Sequence, residues 1–119
     1  MDAMTDGLPE WLRAQLDEDA AKIADPRTEK AWHARDCESL PEVLYPDRET
    51  GTCDCGVPAR LLREIDAKRQ ALDHYAEFRR LATGGERAYR LAAGAVAMQI
   101  QIMALPYADR PGYDEAWRP

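Results

Sequence analysis

Apolar residues recur at three- and four-residue intervals in three stretches of the chain, and each stretch predicts an amphipathic helix. In the first, Leu8, Trp11, Leu12, Leu16, Ala20 and Ile23 form one stripe. Pro9 suits a first helical turn and Asp25-Pro26 a stop, which sets a helix from about Pro9 to Ala24 with Asp17-Glu18-Asp19 on a solvated face. In the second, Leu61, Ile65, Leu72, Tyr75, Phe78 and Ala82 carry the period from Pro58 to about Thr83, where Gly84-Gly85 end it. The third runs from about Glu86 to Leu105 before Pro106. Its Ala88, Leu91, Ala95, Met98, Ile102 and Leu105 alternate steps of three and four, the spacing of a packing seam. So short a connection makes the second and third helices an antiparallel hairpin.

Between the first two helices, residues 26–57 sustain no helical period. They hold prolines, Gly51, Gly56 and the short apolar runs Ala31-Trp32 and Val43-Leu44-Tyr45. The expectation is two short strands flanking Pro41 with a turn over Asp47 to Gly51, an insertion that needs packing or a metal to persist. The tail after Pro106 carries Tyr107, Tyr113 and Trp117, which are expected to pack back on the helices. The fold class is therefore mainly α: a helical hairpin plus an N-terminal helix, with a small irregular or β-hairpin insertion. One domain is expected over residues 1–119, with 1–7 a flexible start and 106–119 a packed tail.

A length of 119 residues at 45% apolar content allows one modest core. The opening MDAMTDGLPEW lacks the basic start and apolar run of a secretory signal, and the uninterrupted apolar stretch Leu91–Leu105 is short for a bilayer, so a cytoplasmic location without membrane contact is expected. Net charge is −6, unevenly placed: residues 1–57 hold 14 acids and 6 bases, residues 58–119 hold 8 acids and 10 bases. Such a chain repels phosphate backbones as a whole, and nucleic-acid binding requires a local basic face.

The candidate chemistry lies in the cysteines. His33, Cys37, Cys53 and Cys55, spaced His-x3-Cys-x15-Cys-x-Cys, supply the nitrogen and three sulfurs of a closed tetrahedral zinc site, with His74 an alternative fourth ligand. Zinc would add folding energy to a segment poor in apolar residues, and a full ligand set makes it structural. The competing reading is three unligated thiols in a reducing compartment. A cysteine nucleophile with His33 or His74 as base is a third reading, and no phosphate loop, nucleophile elbow or His-Glu-x-x-His helix accompanies it.

Arg79, Arg80, Arg87 and Arg90 cluster around the double glycine, either as a patch for phosphate or an acidic partner, or as a solvated hairpin end. The third helix carries more apolar surface than one packing face uses. Leu91, Met98, Ile100, Ile102 and Met103 are the candidate interface for a second copy or another protein.

Three blocks, PEWLRAQLDED, VPARLLREIDAKR and the tail LPYADRPGYDEAW, resemble a family of small proteins of no assigned activity encoded by actinobacteria and their phages. The resemblance covers about half the chain and implies fold and cellular context. Relatives often carry Cys or His just before the final helix. That segment has none here, so no ligand set carries over. The expected function is non-enzymatic, by protein binding or self-assembly, with a zinc-stabilised module, possible partner to nucleic acid, as the alternative and an enzyme third.

Overall fold

The computed structural model describes residues 5–25, 27, 29–40, 44, 47 and 49–119. The helices are α1 (Leu8–Ala24), α2 (Val57–Ala82) and α3 (Arg87–Ala104), with 3₁₀ turns at Glu29–Trp32, Leu105–Tyr107 and Glu115–Trp117. The fold is mainly α, with α2 and α3 a hairpin and α1 packed against α2. No strand occurs among the described residues. Of the expected hairpin, Pro41, Val43 and Tyr45 lie outside the described residues, and the described remainder of the insertion is the Glu29–Trp32 3₁₀ turn, turns and irregular chain.

Two compact units divide the chain. One comprises Met1–Asp17 with Asp66–Pro119, the other Glu18–Ile65. The core of the first is made by Leu8, Leu12 and Leu16 of α1, Leu72 and Tyr75 of α2, and Ala97, Ile100 and Ala104 of α3, all buried. Leu8, Leu12 and Leu16 follow one another at four-residue steps, so a single stripe of α1 is removed from water. Arg13 Nη2 donates to Asp73 Oδ1 at 2.8 Å and Arg69 Nη2 to Asp17 Oδ1 at 2.6 Å, which tie the polar edges of α1 to α2. Thr5–Gly7, expected to be flexible, are tied down. Thr5 is buried with its hydroxyl 3.0 Å from that of Tyr75, and the Asp6 carbonyl accepts from Trp117 Nε1 at 2.9 Å.

Trp11, Tyr113 and Trp117 form a three-ring cluster with centroids 5.4–5.6 Å apart. Trp11 Nε1 donates to the Pro111 carbonyl at 3.1 Å, and Gln101 Nε2 of α3 donates to the Trp117 carbonyl, also at 3.1 Å. Gly112, at φ +89°, is required in this corner: a Cβ there would stand 2.7 Å from Trp11 Nε1.

On α3 the buried face is Ala97, Ile100, Gln101 and Ala104. The heptad-spaced seam is turned out, with Leu91 63%, Met98 44% and Ile102 45% exposed. Ile100, expected on the exposed side, is fully buried, and Met103 is half-buried. Of the candidate interface residues, Leu91, Met98 and Ile102 therefore lie on the outer side of α3 and Ile100 on the inner. From Leu91 to Leu105 the helix has no charged residue to mark its wet side. The small Ala97 and Ala104, with Gln101 holding Trp117, set which side packs. Arg87–Tyr107, 21 residues, is also long and apolar enough by length and composition to cross a bilayer, which the shorter uninterrupted run had concealed.

Candidate metal centre

The unit Glu18–Ile65 buries little apolar material: Ile23, Cys37 and Ile65 are its buried hydrophobic residues among those described. What its irregular segment brings together is a set of donors. After the 3₁₀ turn Glu29–Trp32, the chain bends twice, with Cys37 N–H donating to the Ala34 carbonyl and Leu40 N–H to the Cys37 carbonyl, both at 3.0 Å. These turns aim His33 and Cys37 the same way. Gly51 N–H then donates to the Glu38 carbonyl at 2.8 Å, and the Asp54 carboxylate accepts from Glu38 N–H at 2.9 Å. The two contacts lay Cys53 and Cys55 alongside the first turns. Gly56, at φ +70°, reverses the chain into α2, whose first turn closes on it by Arg60 N–H to the Gly56 carbonyl at 3.0 Å.

The ligand atoms of His33, Cys37, Cys53 and Cys55 all lie within 4.8 Å of one another. Cys53 Sγ stands 3.7 Å from Cys37 Sγ and 3.7 Å from Cys55 Sγ. His33 Nδ1 is 3.3 Å from Cys37 Sγ, 3.3 Å from Cys53 Sγ and 3.6 Å from Cys55 Sγ. Zinc bonds of ~2.3 Å to sulfur and ~2.0–2.1 Å to nitrogen place sulfurs about 3.8 Å apart, and nitrogen and sulfur about 3.6 Å apart, along the edges of a tetrahedron. Five of the six separations lie close to those edges, and the sixth, between Cys37 Sγ and Cys55 Sγ, is within 4.8 Å. They exceed a disulfide bond of ~2.05 Å by far.

Hydrogen-bond donors surround the sulfurs. Ala34 N–H donates to Cys55 Sγ at 3.4 Å, and Ser39 Oγ lies 3.1 Å from Cys37 Sγ and 3.2 Å from His33 Nδ1. Burial pushes the Cys37 thiol up, but the Ser39 hydroxyl and the backbone N–H groups of Ser39, Cys55 and Asp54 outweigh it and bring the thiol down to about 6. The backbone N–H groups of Ala34 and Val57, aided by His33, overcome burial and lower Cys55. The Gly56 N–H lowers Cys53, yet burial and the flanking Cys37 and Cys55 leave it raised. Burial lowers His33, and its hydrogen bonds to Cys55 and Cys37 raise it further than that. A divalent cation at the centre would turn all three thiols into thiolates, whose charge these N–H and O–H donors are placed to spread.

His74 is not part of the cluster; its ring stands on α2 at 4.8 Å from that of Phe78. Ser39, unmarked by the sequence reading, touches both His33 and Cys37, and the Cys-x-Ser spacing is its only signal. The carboxylates of α2 are engaged elsewhere: Asp66 with Arg69, Asp73 with Arg13 and Glu77 with Arg80. No other group of metal-capable side chains gathers among the described residues.

The basic patch divides. Arg80 makes two hydrogen bonds with Glu77, at 2.6 and 3.0 Å, and the Arg79 guanidinium lies over the Tyr75 ring at 5.6 Å. Arg87 and Arg90 are exposed on the first turn of α3.

A family described as a family of unknown function, DUF6221, matches residues 5–119. No curated protein and no solved structure matches the chain.

Proposed function

We propose that this chain, which belongs to the DUF6221 family, is a non-enzymatic binding protein whose insertion is organised by one structural zinc ion. The observation that carries the reading is the convergence of His33 Nδ1 and the three cysteine sulfurs at tetrahedral-edge distances. Four protein ligands leave no open position for water or substrate, which argues for a structural ion over a catalytic one. The small buried apolar set of the unit makes the same point energetically, since ligand bonds can replace a core as the source of folding energy. The resemblance to small actinobacterial and phage proteins agrees with an accessory role.

A second reading concerns how the protein binds. The outward-facing Leu91, Ala95, Met98 and Ile102 keep the seam spacing of two helices that interlock, and no charge between Leu91 and Leu105 would repel a second copy. We assign this face to self-association through α3.

Native mass spectrometry of the purified chain tests both, because it reports bound metal and subunit number together. One zinc per chain, lost in Cys53→Ser while helicity is kept, is the expected result. A folded, metal-free chain would overturn the zinc reading. A dimer is expected for the α3 seam; a zinc-loaded monomer would sink the second reading alone, and its capture by phosphatidylcholine vesicles would give α3 to a bilayer.

A further inference from the structure

The three sulfurs of the candidate metal centre differ in what can reach them. Cys37 is buried, Cys55 half-buried and Cys53 exposed. The exposed Cys53 Sγ stands 3.7 Å from the buried Cys37 Sγ. A small reagent arriving from solvent therefore meets one sulfur whose neighbour is sheltered from the reagent yet within reach of the first sulfur. Oxidant-sensing cysteines share this form: an accessible thiolate reacts, and a second cysteine beside it resolves the product.

The backbone already holds these two cysteines side by side. Glu38 N–H donates to the Asp54 carboxylate at 2.9 Å, and Gly51 N–H donates to the Glu38 carbonyl at 2.8 Å. Glu38 follows Cys37 and Asp54 follows Cys53, so closing from 3.7 Å to a disulfide of ~2.05 Å is left to the side chains. Cys55 Sγ is also 3.7 Å from Cys53 Sγ, but it accepts from Ala34 N–H at 3.4 Å, a donor fixed in the backbone. The Ser39 hydroxyl beside Cys37, by contrast, can rotate to follow its sulfur. The pair that closes with least loss is Cys37 with Cys53.

We propose that Cys37 and Cys53 form a reversible oxidation site, at which a peroxide joins the two sulfurs as a disulfide and the ion held by the cluster is released. The inference rests on the zinc reading above, because a coordinated cysteine is kept as the thiolate, the form that reacts. The Cys53 thiolate attacks one oxygen of hydrogen peroxide. A sulfur–oxygen bond forms, the oxygen–oxygen bond breaks, and hydroxide leaves with the electron pair. Cys53 is thereby oxidised to a sulfenic acid and the peroxide is reduced. The Cys37 thiolate then attacks the Cys53 sulfur, the sulfur–sulfur bond forms, and the sulfur–oxygen bond breaks to release a second hydroxide. Solvent protonates both, so two thiolates, one hydrogen peroxide and two protons give one disulfide and two waters.

Oxidation removes two of the four ligands in one event. His33 and Cys55 remain, fewer than a closed structural site uses, and the disulfide sulfurs carry no charge to hold a cation. The insertion then passes from a form organised at four residues to one tied only between Cys37 and Cys53. A dithiol reductant reverses the change by thiol–disulfide exchange and returns both sulfurs to metal binding. The surface that the insertion presents is thus set by peroxide.

The test treats the zinc-loaded full chain with hydrogen peroxide, reads it by native mass spectrometry, and maps its cysteines by alkylation and non-reducing peptide analysis. Zinc should be lost in step with a covalent mass lower by two hydrogens, with Cys37 linked to Cys53 and Cys55 alkylated. Dithiothreitol with added zinc should restore the loaded form. Cys55→Ser should form the same bond, because Cys55 takes no part in it; loss of the bond in that variant would overturn the assigned pair. A chain that holds no zinc before peroxide is added would overturn the metal reading and this one with it. Four results from a zinc-loaded chain would overturn this one alone. They are a chain left unoxidised by a dose that oxidises glutathione in the same buffer, zinc retained after the disulfide forms, zinc lost to sulfinic or sulfonic acids in place of a disulfide, and a bond made to Cys55 or to a second chain.

Discussion

Ser39 is the residue on which the metal centre can be probed without deleting a ligand. Its hydroxyl is 3.1 Å from Cys37 Sγ and 3.2 Å from His33 Nδ1, so it touches two of the candidate ligands without being one of the four. Residues in such positions orient ligands and spread thiolate charge, and their loss commonly weakens metal binding ~10–100-fold. Ser39→Ala is therefore expected to keep one zinc per chain while losing it to a competing chelator at ~10–100-fold lower chelator strength. Unaltered competition would mean the hydroxyl is incidental. The three cysteines and His33 could be marked from spacing because a tetrahedral site needs four soft or borderline donors and the segment offers few others. His33 and His74 could not be told apart that way. The choice depends on which side chain the turns after Trp32 bring to the sulfurs, and one-dimensional spacing carries no such information. Ser39 was invisible for the same reason: a serine near cysteines is ordinary until its distance to them is known.

At the scale of the elements, α3 has two apolar faces, and each does something different. Ile100 is fully buried beside Ala97 and Ala104, whereas Leu91, Met98 and Ile102 stand in the open. Ile100→Ala removes buried methyl groups from a packed core and should cost about 2–4 kcal/mol in denaturant unfolding. Met98→Glu changes a side chain that is 44% exposed and should move the unfolding curve of the isolated chain far less than Ile100→Ala does. If α3 joins a second copy, the same glutamate halves the sedimenting mass without loss of helicity. An Ile100→Ala chain as stable as the parent would contradict the assigned face. The boundaries of α1, α2 and α3 were legible to within a residue or two, because Pro9, Pro26, Gly84-Gly85 and Pro106 punctuate an unbroken three-four rhythm. The face of α3 was not. Rhythm identifies the packed side only where charged residues occupy the other, and α1 has those while the body of α3 lacks them. Of the expected strands, Pro41, Val43 and Tyr45 lie outside the described residues, and the described part of the insertion is built on turns around the four candidate ligands.

Over the whole molecule the two units draw on different sources of stability, and this makes their responses to metal removal separable. The unit Met1–Asp17 with Asp66–Pro119 has Leu8, Leu12, Leu16, Leu72 and Ile100 fully buried. The unit Glu18–Ile65 has Ile23, Ile65 and the ligand Cys37 as its buried hydrophobic residues among those described. An ion that binds only the folded form stabilises it by RT ln(1 + [L]/Kd), ~2.7 kcal/mol when free metal is a hundredfold above Kd. A zinc ion held by His33, Cys37, Cys53 and Cys55 would have no ligand among the described residues of the first unit, so its withdrawal should leave that unit unchanged. If zinc is bound by those four side chains, withdrawing it from the second unit would remove the attraction between ion and ligands and leave a segment with little apolar area to close on. Hydrogen exchange with and without a zinc chelator should accordingly show amides of Cys37, Leu40 and Gly51 losing protection, while those around Leu72 and Ile100 keep theirs. Restoring zinc should restore the first set. Loss of protection throughout both sets would mean that the ion supports the entire fold, and loss in neither would mean that the turns hold without it. Either result would remove the reason for giving the ligands a structural role.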